Sequence, residues 1–299
     1  MSCPLCSSNN IKQIYSGTDK VISKLFNYVC QLFLFKCCNC GMIFLDRINY
    51  DLGKIHELYW EMLTNNIKNG YSVDINKSQD LLLNCLDKYR ETGNLLEIGC
   101  GDGAFLKLAQ DQGWKVTGIE ISTKAATLAR DKYGLDILND SFEQVFKELK
   151  RNFFDIVVMW GVIEHLHNPV MELRLVKLLL RKGGILLIYT PNANSIFHKL
   201  ARAVYFLTCG FVKFPMERIV TAMHTIYFTP DTIIKILNNC NFTIQNIEMV
   251  NIDIDFIFEA YNNFWWSNKI FLSCAKFIQK VSYLNSMWYS HMIIFAESV

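Results

Sequence analysis

The chain has 299 residues, 51% hydrophobic and 19% charged, so a large core can form and global disorder is excluded. With 30 Lys and Arg against 28 Asp and Glu, the net charge of +2 lacks the basic excess that a nucleic-acid backbone demands, and no nucleic-acid partner is expected. No stretch reaches the roughly 18 apolar residues of a membrane-crossing helix, and the opening Met-Ser-Cys-Pro-Leu-Cys lacks the basic and apolar regions of a signal peptide, so a cytoplasmic location is expected.

Residues 1–48 read as a small module with β-type runs at Ile11–Tyr15, Tyr28–Lys36 and Met42–Leu45. Six of the 11 cysteines crowd into it: Cys3, Cys6, Cys30, Cys37, Cys38 and Cys40. An odd total in a reducing compartment is a poor disulfide framework. Cys3-Pro-Leu-Cys6 and Cys37-Cys-Asn-Cys40-Gly41 instead form a C-x2-C…C-x2-C pair, in which two tight turns aim four thiolates at one tetrahedral Zn²⁺. Gly41 supplies the positive φ that follows the second sulfur, while Ser7 stands where the first turn wants the same freedom. Four thiolates leave no open coordination position, so this zinc is expected to be structural.

Residues 49–93 read as a helical connector, with apolar residues at 3–4 spacing from Leu52 to Met62 and again around Leu81–Leu86. From Asn94 the pattern becomes strand–helix alternation. Strands are expected at Leu95–Ile98, Lys115–Ile119, Phe154–Trp160 and Ile185–Tyr189, and helices at Ala104–Gln112, Thr123–Tyr133, Phe142–Lys150 and Val170–Arg181. Unbroken apolar strands between helices imply a parallel sheet covered on both faces, an α/β fold. Further on come a helix at Pro230–Asn239, a strand at Phe242–Val250, an aromatic amphipathic segment at Tyr261–Tyr283 and a last strand near Met287–Ala296. Residues 94–299 thus form the main domain, with aromatic cap insertions at about 192–228 and 255–285.

Leu95-Leu-Glu97-Ile-Gly99-Cys100-Gly101-Asp-Gly103 places a G-x-G-x-G turn between strand and helix, where bare backbone can approach a ligand and point N–H groups at it. Gly99, Gly101 and Ala104 also satisfy the G-x-G-x-x-A of a dinucleotide site. Three neighbours discriminate. Glu97, just before the turn, would repel a pyrophosphate but attract a cationic amino acid. Glu120, after the next strand and beside Ile121, can accept from both hydroxyls of a ribose. Asp140-Ser141-Phe142, after a third short strand, offers an acceptor for an exocyclic amine beside an aromatic ring.

These segments resemble the class I S-adenosylmethionine-dependent methyltransferases: Glu97-Ile-Gly-Cys-Gly-Asp-Gly103 is similar to their glycine-rich motif, and Phe154-Asp-Ile-Val-Val-Met-Trp-Gly-Val-Ile-Glu-His-Leu-His-Asn-Pro169 to their fourth-strand motif. The cysteine-rich start and His224-Thr-Ile-Tyr-Phe-Thr-Pro230 resemble methyltransferases of sugar and polysaccharide pathways that carry an N-terminal zinc ribbon. The resemblance implies a Rossmann-like sheet of seven strands, the last antiparallel, with S-adenosylmethionine held by Glu97, Gly99, Cys100, Gly101, Gly103, Glu120, Ile121, Asp140, Ser141 and Phe142. It further implies a sugar-type acceptor: a nucleotide sugar, polysaccharide or glycolipid, methylated on a hydroxyl. The chain lacks the long C-terminal domain of sugar C-methyltransferases, which speaks against C-methylation. A binding or scaffold protein that keeps the fold without turnover is the alternative.

An alcohol acceptor must lose a proton, and histidine has the pKa for that work. His224, before the Pro230 helix, is the first candidate and His165 the second; His167 is a weaker third. Glu164 is read as orienting a neighbour before ligating a metal, and Asp155, which begins a buried strand, as structural or as supporting a cofactor contact. Lys199, Arg202, Lys213 and Arg218 alternate with large apolar residues. The plain reading is a cap helix with solvated charges; the sharper one is a cover that meets phosphate groups of a nucleotide sugar or of anionic lipids at the inner face of a membrane. Phe264-Trp265-Trp266, Phe271, Phe277 and Tyr283 are read as core or homodimer interface before substrate box.

Overall fold

The computed structural model describes residues 1–20, 22–23, 29–46, 57, 60–61, 75–86, 92–251 and 269–299. Most of the 49–93 connector, and Phe264-Trp265-Trp266 of the second cap, lie outside the described residues.

The main sheet is built from β4 (Asn94–Ile98), β5 (Lys115–Ile119), β6 (Ile137–Leu138), β7 (Phe154–Trp160), β8 (Leu180–Pro191), β10 (Phe242–Val250) and β11 (His291–Ser298). Their order across the sheet is β10-β11-β8-β7-β4-β5-β6. The pairs β4–β5, β4–β7, β5–β6 and β7–β8 are parallel, and β11 runs antiparallel to both β8 and β10. This is the α/β Rossmann-like sheet of seven strands with its last strand reversed. Side chains at both faces of β7 are buried, which is why its sequence shows no alternation.

The covering helices are α1 (Ile75–Leu86), α2 (Ala104–Asp111), α3 (Thr123–Tyr133), α4 (Phe142–Val145), α5 (Pro169–Leu179), α6 (Ile196–Leu207), α7 (Pro230–Asn239) and α8 (Lys269–Ser282). Their ends follow from local chemistry. Ser122 accepts from the Ala125 amide at the start of α3, and Gly134 closes it at φ 66°. Thr229 and Thr232 form a reciprocal capping box at α7, with Pro230 in the first turn. Such a cap is worth about 1 kcal/mol. Ile233, Ile236 and Leu237, at helical spacing, then bury one face of α7.

Two expected elements differ. The helix expected over Phe142–Lys150 ends at Val145, because Val145 and Phe146 are drawn into the core and the chain continues in turns. The strand expected at Ile185 begins at Leu180, which pairs with Phe154 before a register shift and the left-handed Gly183 (φ 74°). Both differences are tertiary overrides of local pattern.

A second sheet, in the order β1-β2-β3-β9, joins β1 (Ile11–Asp19), β2 (Cys30–Cys37) and β3 (Ile43–Leu45) to β9 (Ile226–Tyr227), which comes from far downstream. Ile43 pairs with Tyr227 and Phe44 with Ile226. The N-terminal strands also share their core with the larger sheet. Cys3, Leu5, Cys37, Met42 and Phe44 lie in one buried cluster with Ile163, Ile226, Phe228 and Ile233. Burying a side chain the size of Phe228 is worth about 2–3 kcal/mol, so this shared core is a substantial tie.

Candidate active site

The glycine loop follows β4. Gly99, Gly101 and Gly103 all have left-handed backbones (φ 74°, 56° and 73°), which alone explains three glycines in five positions. Space adds to the requirement. A Cβ on Gly99 would lie 2.5 Å from Val162 Cγ2, and one on Gly101 would lie 2.7 Å from Trp60 Cζ2. The loop's amides are spent within the protein. Gly99 and Cys100 donate to the Ile119 carbonyl (2.8 and 3.0 Å), Gly103 to the Cys100 carbonyl, and Gly101 to Glu120 Oε2 at 2.8 Å. The loop therefore does not aim these N–H groups at a ligand, contrary to the expectation from sequence, and it is no cradle for a pyrophosphate. Cys100 contributes backbone only; its thiol is buried against the core, and burial, first of all, drives its pKa upward.

Glu97 is buried, and its Oε2 has no hydrogen-bond partner. Burial, with Glu120 and Asp102 nearby, holds its carboxyl well above the usual carboxylate range. A buried acid without a counter-charge is costly unless a cation arrives. The α-ammonium of a methionine-like tail is such a cation. Glu120 is likewise buried, its carboxylate accepting from the Gly101 and Ser122 amides (both 2.8 Å); burial raises its pKa while those amides lower it. It is thus fixed at the carboxyl end of β5, where open α/β sheets receive a nucleoside. Ile121 beside it is exposed, and so is Asp140, whose Oδ1 accepts from the Ser141 amide at 2.6 Å. Phe142 departs from expectation: its ring is buried in the core, edge-on to Phe146, and presents no open aromatic face.

Sequence reasoning missed Trp60, Glu57 and Glu61. Trp60 lies over Gly101, Glu57 Oε1 accepts from the Thr123 amide at the start of α3, and Glu61 pairs with Lys124 at 2.8 Å. Only the general helical periodicity of Leu52–Met62 hinted at this cover.

Beyond β7, Ile163–His165 forms a single 3-10 turn. His165 Nδ1 donates to the Met223 carbonyl at 2.6 Å, and burial lowers its pKa, partly offset by the Met223 and Gly161 carbonyls. His224, from the segment before β9, lies edge-on to His165 with ring centroids 5.0 Å apart. The two histidines, alternatives on sequence grounds, are neighbours. Val162, which opens this turn, packs against Gly99, while the histidine pair itself is turned toward the Met223 carbonyl and the segment before β9. Glu164 is buried; its Oε2 accepts from Thr190 Oγ1 at 2.9 Å, and burial pushes its pKa up to about 7. His167 points to solvent. Asp155, away from the site, accepts from the Asn94 amide at 2.7 Å and pairs with Arg181, the structural role expected for it. An aromatic stack completes this edge. Trp160 and Tyr189 lie parallel at 4.1 Å, and His291 stacks on Tyr189 at 5.0 Å.

The backbone around His224 is held from two sides. The Glu164 carbonyl accepts from the Thr225 amide (2.8 Å) and hydroxyl (3.1 Å). From the N-terminal sheet, the Leu45 amide donates to the Thr225 carbonyl at 2.9 Å, and buried Asp19 accepts from Thr221 Oγ1 and the Ala222 amide.

At the far end of that sheet Cys3, Cys6, Cys37 and Cys40 bring their sulfurs within 4.8 Å of one another, with Cys3–Cys40 at 3.4 Å and Cys6–Cys37 at 3.6 Å. A tetrahedral Zn²⁺ about 2.3 Å from each sulfur needs sulfur–sulfur separations of about 3.8 Å, so the donor set fits. Ser7 and Gly41 both adopt positive φ (56° and 86°), the two halves of the expected pair of turns. For Cys37, burial raises the thiol pKa, but the Cys40 and Asn39 amides outweigh it and bring it down to about 7. Cys30 is buried in a separate cluster, and Cys38 is exposed, outside the group of four.

A family model described as "Methyltransferase domain" matches residues 73–247. The chain belongs to this methyltransferase family. A ubiquinone biosynthesis O-methyltransferase from Glaesserella parasuis is 33% identical over 109 residues, 34% of this chain and 46% of that protein. One from Caulobacter vibrioides is 39% identical over 104 residues, 33% of this chain and 40% of that protein. The chain thus spans less than half the length of these relatives. A crystal structure of a SAM-dependent methyltransferase from Archaeoglobus fulgidus aligns over 79% of this chain and 98% of its own, with TM-score 0.53 and 19% identity, which establishes the shared fold.

Proposed function

We propose that the chain methylates a hydroxyl oxygen of a ring-bearing acceptor, with His224 taking the acceptor proton. S-adenosylmethionine, when bound, supplies the electrophilic methyl group. The residues of this chain then have three tasks. Glu97 binds the ammonium of the methionine tail, Glu120 the ribose hydroxyls, and Asp140 with Ile121 and Ser141 the adenine. Trp60 covers the loop and excludes water. The His165–His224 contact at 5.0 Å is the observation that carries the reading, because it gathers two candidate bases at the turn after β7, on the carboxyl side of the sheet where open α/β folds bind their ligands. His165, anchored by the Met223 carbonyl and kept neutral by burial, holds His224 in place without adding a repelling charge.

The names of the two curated relatives support oxygen as the accepting atom. The Trp160–Tyr189–His291 stack supports a flat or ring-shaped acceptor, since an aromatic ring and the apolar face of a sugar both stack on such a surface. The sugar-type acceptor implied by the zinc-ribbon resemblance remains the second reading, carried by the His224–Pro230 segment and the four-cysteine cluster. That cluster we assign to a structural Zn²⁺. Incubation with S-adenosylmethionine and either a catechol or a nucleotide sugar, read by mass spectrometry, tests the proposal. S-adenosylhomocysteine with a methylated oxygen is expected from one of them. Cofactor binding with no product from any hydroxyl acceptor would make the chain the silent scaffold.

A further inference from the structure

Large apolar side chains that face solvent are not spread evenly over this protein. Among the described residues, ten of the sixteen strongly exposed ones lie within 200–214 and 277–287. Phe211 is 91% exposed, and Phe206 and Leu207 are each 79% exposed, far beyond the scattered exposure that needs no explanation. Of the two roles expected for Phe277 and Tyr283, core or homodimer interface, the first is not met, since both are exposed as well. The two stretches are neighbours, because α8 packs on α6 and Lys199 of α6 lies 5.8 Å above the Trp288 ring.

The charge within these two stretches is nearly all of one sign. Between residues 192 and 225 stand Lys199, Arg202, Lys213 and Arg218 against a single acid, Glu217, which pairs with Lys20 at 2.7 Å. Residues 269–291 contain three lysines and no acid at all. Exposed Phe and Leu at a helix end, flanked by cations whose long stems lie along apolar surface, is the pattern of a segment that enters the headgroup region of an anionic bilayer. Arg218, stacked over Phe214 at 4.7 Å, shows that arrangement within the patch. Protein interfaces are depleted of lysine, whereas here exposed Lys213 stands between the exposed Val212 and Phe214.

We propose that residues 200–214, with the exposed side of α8, dock this methyltransferase on an anionic lipid surface. The position has a consequence for the acceptor. α6 starts just after the carboxyl end of β8, near Tyr189, and carries Phe206 and Leu207 at its other end, so a docked bilayer would lie one helix length, about 18 Å, from the acceptor stack and favour acceptors that carry a long apolar tail. This consequence rests on the reading of the acceptor site given above; docking itself does not.

The test is co-sedimentation of the purified chain with phosphatidylcholine vesicles, with and without phosphatidylglycerol, in low and high salt. Binding is expected to the anionic vesicles only, to weaken with salt, and to fall about tenfold or more in a Phe206→Ser/Phe211→Ser variant. Calorimetry with S-adenosylmethionine shows that the variant remains folded, and Lys213→Glu gives an independent loss through charge alone. Wild-type protein that ignores anionic vesicles, or a serine variant that binds them as well as wild type, overturns the proposal. So does a dimer in solution that the serine variant dissociates, which would make the face a contact between copies. The vesicle readout needs no acceptor, so methyl transfer without vesicle binding refutes the docking alone, and vesicle binding without methyl transfer refutes the acceptor reading alone.

Discussion

Asp19 and Ala222 stand 203 residues apart, yet Asp19 Oδ2 accepts a hydrogen bond from the Ala222 amide at 2.9 Å. The same oxygen accepts from Thr221 Oγ1 at 3.0 Å, and Oδ1 from the Ile22 amide at 2.9 Å. One buried carboxylate at the end of β1 thereby fixes the loop that carries His224. Asp19→Ala should cost about 2–4 kcal/mol, because it strands buried donors as well as removing their bonds. It should lower kcat about tenfold or more while leaving S-adenosylmethionine affinity within about twofold, since no cofactor contact is touched. Thermal unfolding, steady-state kinetics and calorimetry on one variant check all three expectations.

Glu97 gives a proton signature. Its carboxyl is held toward the protonated form by burial and by Glu120 and Asp102, and an arriving ammonium favours the carboxylate. Cofactor binding should release a proton, so affinity should rise with pH over the range in which the free carboxyl titrates. Calorimetry in buffers of different ionisation enthalpy measures this release directly. Glu97→Gln should abolish the buffer dependence and weaken binding about 10–100-fold, the worth of one charged hydrogen bond.

Histidines whose protonation burial disfavours should make one share of the stability sensitive to acid. His198 and His291 are half-buried, and desolvation lowers both to a pKa of about 3, with Arg202 adding to the shift at His198. The unfolded chain binds these protons near pH 6.5 and the folded one does not. Their contribution is therefore complete above about pH 6.5 and is lost as pH falls toward 3, at up to about 1.4 kcal/mol per pH unit for each. Glu164 acts in the opposite sense: its raised pKa of about 7 gives stability that is full below about 4.5 and lost as pH rises through 7. Glu172, also raised to about 7, and the raised Glu97 and Glu120 act in the same sense as Glu164, so the histidine contribution is read from a single-site difference. His291→Phe, which keeps the stack on Tyr189, should gain melting temperature relative to wild type as pH falls from 6.5 to 4.5.

Much of this was legible in the sequence. The spans Lys115–Ile119, Thr123–Tyr133, Phe154–Trp160, Pro230–Asn239 and Phe242–Val250 follow from periodicity and caps that tertiary packing does not contest. The cysteine spacing gave the group of four because the constraint is local to each turn. What could not be read was long-range. Ile226–Tyr227 is too short to announce a strand, and it exists only because β3 offers it a partner. Asp19 reads as an ordinary acid at a strand end. Trp60 reads as one more apolar residue of a connector, and the pairing of His165 with His224 depends on two loops separated by a strand, a helix and a cap.

Zinc removal should reach further than the ribbon. Purified protein should carry about one zinc per chain, and Cys37→Ser should release it. The strands that this metal ties together continue through β3 to β9, next to His224. Metal loss should therefore lower turnover as well as the melting temperature, while cofactor affinity changes little. Elemental analysis with calorimetry and kinetics on the same preparation separates these effects.

The central claim is that His224 takes the acceptor proton, and His224→Ala tests it most directly when S-adenosylhomocysteine formation and S-adenosylmethionine affinity are measured together. Turnover should fall by on the order of 10²–10⁴-fold, the usual worth of a positioned base, with cofactor affinity essentially unchanged. A His224→Ala protein that turns over at the wild-type rate would contradict the account.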